Sequence, residues 1–179
     1  MNDKYLSTVR LLTASVAVPA MALISQLSQV KVSTAAVPNI TCDTTSETPT
    51  VVASVEGSEG KQQTKMLTFL TDYFPDREAK QKCQAAANTL QTLYAANEMN
   101  YLASDTIDGE LPVVCAVQRR GVGCDSYSAK VLFALDRQVN PAVALYNMLG
   151  EDLKRSELPD SRTVSRIYTD LTLFDWLPF

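Results

Sequence analysis

Four cysteines, Cys42, Cys83, Cys115 and Cys124, all lie beyond an apolar N-terminal run, and no other feature constrains the chain as tightly. An even number of cysteines downstream of an export-type segment implies two disulfides. Three pairings are open. Cys115 and Cys124 flank Arg119-Arg120-Gly121, which reads as a hairpin tip, and cross-strand neighbours there stand close enough to bridge. That favours Cys115–Cys124 with Cys42–Cys83. In the chain-entropy model a bridge closing the longer loop is worth roughly 3–4 kcal/mol. A zinc site fits poorly, because no C-x-x-C pair exists and no histidine could complete a mixed ligand set. A redox-active pair lacks the same motif.

The N-terminus reads as a targeting segment. Lys4 and Arg10 supply positive charge, and Leu11 to Ile24 is apolar apart from Thr13, Ser15 and Pro19. Ala20-Met21-Ala22 is a small-x-small cleavage site, and a second candidate lies at Ser33 to Ala36. Residues 1–36 are therefore expected to be a signal peptide with a leader or, if uncut, a signal anchor. The alternative is a buried N-terminal helix. Leu11 to Val30 is uncharged, but only its first part is predominantly apolar, so a committed membrane span is not expected. No lipobox cysteine and no twin arginine accompany the run, which disfavours lipid anchoring and twin-arginine export. The expected location is outside the reducing cytosol.

The chain of 179 residues is long enough for one domain with a real core. Its 20% charged and 46% hydrophobic residues fit a globular protein. The net charge is -4, and removing residues 1–36 makes the balance more acidic. Nucleic-acid binding is disfavoured by that sign, since release of phosphate counterions by Lys and Arg drives it. There is no histidine, so the commonest general base and metal ligand are both missing, and a Ser-His-Asp or Cys-His nucleophile system cannot be built from this chain.

Along the chain, Pro38–Thr44, Thr50–Val55 and Lys65–Leu70 read as strands, with a turn at Gly57-Ser58-Glu59-Gly60. Asp76 is expected to cap a helix whose buried face is Ala79, Cys83, Ala86, Ala87, Leu90, Leu93 and Tyr94, with Asn97 as its stop. Asn100–Ala103 reads as a short strand, and Asp108-Gly109 as a hairpin turn. Leu111–Val117 and Tyr127–Leu135 follow as strands. Asn140 caps a second helix with Pro141 in its first position and Ala142, Leu145, Leu149 and Leu153 inward, although Gly150 weakens its later part. From Pro159-Asp160 a third helical stretch places Val164, Ile167, Tyr168 and Leu171 on one face. The expected fold class is α+β: a small antiparallel sheet packed by two main helices, stapled by two disulfides, with a C-terminal helical and apolar extension. The segments are 1–36 for export, 37–155 for the stapled domain and 156–179 for the extension.

In this order, several pieces resemble one family. They are Ile40-Thr41-Cys42, Thr50-Val51-Val52, Lys82-Cys83, the helix end at Tyr94 and Ala95, and Tyr101-Leu102. The most specific are Pro112-Val113-Val114-Cys115-Ala116 and Gly123-Cys124, followed by Val131–Leu135 and Asn140-Pro141. Over about residues 38–155 the chain is similar to the circadian oscillating polypeptide (COP) domain family of cyanobacteria. It departs at Lys82, where the family usually has arginine, and lacks a tryptophan often found around Phe69. The resemblance implies an exported, membrane-associated protein. It carries over no catalytic residues, and the family name records rhythmic abundance rather than an activity.

Among candidate polar sites, Asp105, Asp108 and Glu110 put three carboxylates in one turn. A calcium site needs six or more ordered oxygens, and the spacing does not match an EF-hand, so a solvated turn is the default. The same acids are the main candidates for a carboxylate-based hydrolase, which needs two of them facing across a cleft. Asp72 with Asp76 is no better, since Asp76 reads as a cap. Arg119 and Arg120 at the hairpin tip read by default as a solvated loop, and as the preferred polar contact site they suit a carboxylate or phosphate on a partner. Phe174, Trp176, Leu177 and Phe179 form an apolar tail that either contacts a partner, with Trp176 and Phe179 foremost, or folds back on the domain. Asn39-Ile40-Thr41 matches a glycosylation sequon but coincides with the first strand. The sequence therefore points to a noncatalytic accessory that needs no cofactor or metal and contacts an unknown protein or membrane-surface partner. The alternatives are the hydrolase and a small-ligand or calcium-binding module.

Overall fold

A computed structural model describes residues 38–57, 60–154 and 166–171. The predicted N-terminal segment and the tail residues Phe174, Trp176, Leu177 and Phe179 lie outside these residues. The described residues belong to one compact unit, Thr34–Phe179.

The first sheet forms from β1 (Asn39–Asp43), β2 (Thr50–Gly57) and β3 (Gly60–Thr68), in that spatial order and antiparallel throughout. β2 is the central strand, and Val51, Val52, Ala53, Ser54 and Val55 are all buried. β3 runs the other way in character: polar and exposed at its start, then apolar and buried at Met66 and Leu67.

α1 spans Asp76–Ala95 and buries the face read from its periodicity: Ala79, Cys83, Ala86, Ala87, Leu90 and Leu93, with Tyr94 half-buried. Its start differs from expectation. Pro75 holds the N-cap position with no side-chain cap, and Asp76 is the first helical residue. There Asp76 and Glu78 still face the positive end of the helix dipole. Its end is a Schellman motif. Asn97 takes a left-handed φ of 56°, its N–H donates to Tyr94 O, and the Glu98 N–H donates to Leu93 O.

The second sheet has the order β6-β5-β4-β7, from β4 (Tyr101–Ile107), β5 (Leu111–Val117), β6 (Lys130–Ala134) and β7 (Tyr168–Asp170), all antiparallel. Asp108 and Gly109 make the expected β4–β5 turn, both at positive φ, as a type I′ turn requires. α2 is shorter than its periodicity suggests, Pro141–Met148. The Asn140 side chain caps it, accepting from the N–H groups of Ala142 and Val143. The chain then turns out of the helix into a 3₁₀ turn at Glu151–Leu153, with Leu149 and Leu153 still buried.

The α+β class and the two disulfides are therefore present, with two small sheets where one was expected. A single core joins them. α1 packs on β1, β2 and β6, α2 lies on β4 and β5, and the rings of Phe69, Phe74 and Phe133 meet with centroids 5.1–5.7 Å apart. Lys82 lies over the Phe74 ring at 5.4 Å and pairs with Glu78 at 3.3 Å, so its stem covers this aromatic cluster. The third helix is corrected where it falls on described residues. Tyr168–Asp170 is a strand paired with Tyr101–Ala103, because β4 offers an open edge that satisfies its backbone groups.

Candidate functional site

Strand β5 of the second sheet is buried on both faces. Pro112, Val113, Val114, Cys115, Ala116 and Val117 are six consecutive buried residues. A one-sided strand would alternate with polar positions, so this run needs cover above and below. Val114 and Ala116 face the main core. Val113, Cys115 and Val117 join Ala103 and Cys124 in a second, smaller apolar cluster, with Val122 and Ala129 packed against it. Val122, Cys124 and Ala129 come from the 12-residue connection 118–129 between β5 and β6. That connection is a cover for the outer face of the sheet, with Cys115–Cys124 as its staple.

The favoured pairing of cysteines is the one present. Cys42–Cys83 ties β1 to α1, with Cα atoms 5.6 Å apart, and Cys115–Cys124 ties β5 to the loop at 5.7 Å. The geometric reason given for the second bond needs correcting. Cys124 is a loop residue, and the cross-strand neighbours of Cys115 are Ala103 and Val131.

Two hydrogen bonds fix the base of the loop: Asn100 Nδ2 donates to Gln118 O, and Gln118 Nε2 donates to Asn97 O, at 2.9 and 3.2 Å. Arg119 and Arg120 follow, both exposed as expected. The Arg120 guanidinium rests over the Tyr101 ring, 5.6 Å from its centroid. Stacking of this kind orients the group and leaves its N–H edge free for a carboxylate or phosphate. Farther along, Tyr127 is 98% exposed, and Leu111 and Val131 are large apolar residues that also remain exposed. Sequence reasoning missed Tyr127 because it assigned that position to a strand.

The three turn carboxylates do not act together. Asp108 and Glu110 are exposed, and Glu110 stands 3.7 Å from Arg137. Asp105 is 5% exposed, in mid-strand, and its carboxylate is fully engaged. It accepts from the N–H of Thr106 at 2.9 Å and of Cys124 at 3.0 Å, and it pairs with Arg166 at 2.5 Å. The Arg166 side chain is 41% exposed, so the pair is buried at one end and hydrated at the other. The bond to Asp105 is the main reason the Arg166 guanidinium holds its proton more firmly than an ordinary arginine. Asp72 and Asp76 are exposed. No group of three or more Cys, Asp or Glu side chains is arranged to hold a metal among the described residues. No helix among them is long and apolar enough to cross a membrane.

A family model described as "Circadian oscillating protein COP23" matches residues 40–175. The match reaches beyond residue 155, the limit of the resemblance read from motifs, and takes in Arg166 and β7. No curated protein and no solved structure matches the chain.

Proposed function

The chain belongs to the Circadian oscillating protein COP23 family, and from that premise we propose that it is an exported, noncatalytic binding domain that docks a protein or membrane-surface partner through loop 118–129. The observation that carries this reading is the division of labour within the loop. Its inward residues are pinned to the sheet by a disulfide, while Arg119, Arg120 and Tyr127 point a charged and aromatic surface outward on a fixed base. Immobilising such side chains beforehand lowers the entropic cost of binding. Two disulfides with no free cysteine and the N-terminal sequence support export, and the proposed destinations are the periplasm, the thylakoid lumen or a cyanobacterial membrane periphery. The engagement of Asp105 by Arg166 leaves the hydrolase and calcium readings without their central carboxylate.

The test is crosslinking and pull-down of the tagged protein from native membranes, with bound species identified by mass spectrometry. The Arg119→Glu/Arg120→Glu variant and Tyr127→Ala are run beside the unaltered protein. The expected result is one partner, recovered less as salt is raised and lost in the double variant. Recovery that ignores all three substitutions would remove the loop as the docking surface.

A further inference from the structure

The Cys115–Cys124 bond is covered from a direction unrelated to the loop itself. Cys115 is wholly buried and Cys124 nearly so, clustered with Ala103, Val113 and Val117. The segment Arg166–Leu171, which carries β7, then reaches over from the far end of the sequence and grips the loop on both sides of Gly123. Tyr168 Oη donates to Val122 O at 3.1 Å. Arg166 holds Asp105, which in turn accepts from the Cys124 N–H. A Cβ at Gly123 would meet the Asp125 carboxylate first and would also stand 3.0 Å from Asp105 Oδ2 and 3.2 Å from Arg166 Nη2, so the pair closes tightly against the loop at this glycine. The segment is anchored to β4 by the reciprocal bonds of Ile167 with Ser104 and by Leu171 N–H to Asn100 O. Its own paired strand is only three residues long.

We infer that Arg166–Leu171 is a latch that shields the Cys115–Cys124 disulfide from thiol reductants, so that reduction of this bond requires the latch to open. The exchange itself is ordinary. A thiolate of an external dithiol attacks one sulfur and forms a mixed disulfide, and the second thiol of the reagent resolves it. Two electrons and two protons pass to the protein, Cys115 and Cys124 become thiols, and the reagent leaves as its cyclic disulfide. Attack needs access to the sulfur along the bond axis, and a buried bond offers it only through local opening. Short edge pairing at β7 makes that opening a smaller event than unfolding of the sheet. The Asp105–Arg166 pair and the Tyr168 hydroxyl set how rarely it happens.

The test follows both disulfides at once in the full, oxidised chain. The protein is incubated with dithiothreitol under native conditions, quenched by alkylation at intervals and mapped by peptide mass spectrometry. Cys42–Cys83, tied to a different sheet, is the internal reference. In Arg166→Gln or Tyr168→Phe, the reduction rate of Cys115–Cys124 relative to Cys42–Cys83 is expected to rise about tenfold, the factor set by losing one hydrogen bond from the closed state. An unchanged ratio in both variants would overturn the latch. Near-UV circular dichroism establishes that each variant is folded. If Arg166→Gln does not fold, Tyr168→Phe, which removes a single hydroxyl, decides the question alone.

Discussion

Replacing Gly150 with alanine tests the packing of the first sheet against the segment leaving α2. Its φ is −62°, a value alanine adopts freely, so backbone conformation does not demand glycine here. Space does. A Cβ at this position would sit 2.0 Å from the Lys65 carbonyl oxygen and 2.8 Å from its carbon. Carbon and oxygen in ordinary close contact stand about 3.3–3.6 Å apart, so the two backbones must separate by more than ~1 Å. That shift strains the Gly150 N–H to Met66 O bond and the bridge between Leu67 and Leu149. Overpacking of this kind costs about 1–3 kcal/mol, and a lost backbone hydrogen bond about 1 more. The restricted unfolded chain returns about 0.4–1 kcal/mol. The net expectation for Gly150→Ala is a loss of about 1–3.5 kcal/mol, or about 3–12 °C in Tm for a domain of this size. Urea titration with an unchanged m-value measures it. A loss under about 0.5 kcal/mol, the range of an indifferent surface change, would refute the close approach.

The disulfides differ in loop length, 41 against 9 residues of separation. Replacing Cys42 and Cys83 with alanine is expected to cost about 4 kcal/mol, and the same change at Cys115 and Cys124 about 3 kcal/mol. Urea midpoints in the reverse order would show that native-state packing, not unfolded-chain entropy, sets their worth. Asp43 titrates below the ordinary aspartate range because Thr45 donates to it, first through its backbone N–H and then through its hydroxyl. NMR titration of Thr45→Ala should show the Asp43 value rising only part of the way back, since the backbone donor remains. A depressed carboxyl favours the fold above its unfolded pKa, and that contribution fades as pH falls through the folded value. In loop 118–129, Tyr127→Ala and Arg119→Ala should leave stability within about 0.5 kcal/mol of the parent, while Val122→Ala lowers it by about 1 kcal/mol or more. Equal effects by thermal melting would dissolve the distinction between inward and outward residues.

Much of this architecture was legible because it rests on short-range rules. The α1 face, the Asn140 cap with Pro141 and the Asp108-Gly109 turn each follow from residues within a few positions of one another. What was missed depends on distant partners. Asp105 reads as a turn acid if the strand before it ends at Ala103. Counting seven residues back from the turn, to match Leu111–Val117 across it, places Asp105 opposite Val113 in mid-strand. Its partner Arg166 lies 61 positions away, and no local pattern announces the pair. The C-terminal segment misled for a related reason. Ile167, Tyr168 and Leu171 satisfy a helical spacing, yet Ile-Tyr-Thr is also a good strand sequence, and the open edge of β4 decided between them.

The run Pro112–Val117 carries more information than its assignment as a strand. Six buried residues in succession cannot be served by one layer of helices, so the sequence already requires something on the other side of the sheet. The next segment in the chain supplies it. A 12-residue connection without regular structure is a weak cover by itself, since it satisfies few of its own backbone groups and buries little area. Here it is held by one covalent bond and by the hydrogen bonds of Asp105 and Tyr168. With packing assigned to Val122, Cys124 and Ala129, the other positions of the loop are released from it. That release is the physical reason the proposed recognition surface falls at Arg119, Arg120 and Tyr127, on a loop whose inward residues are already stapled to the sheet.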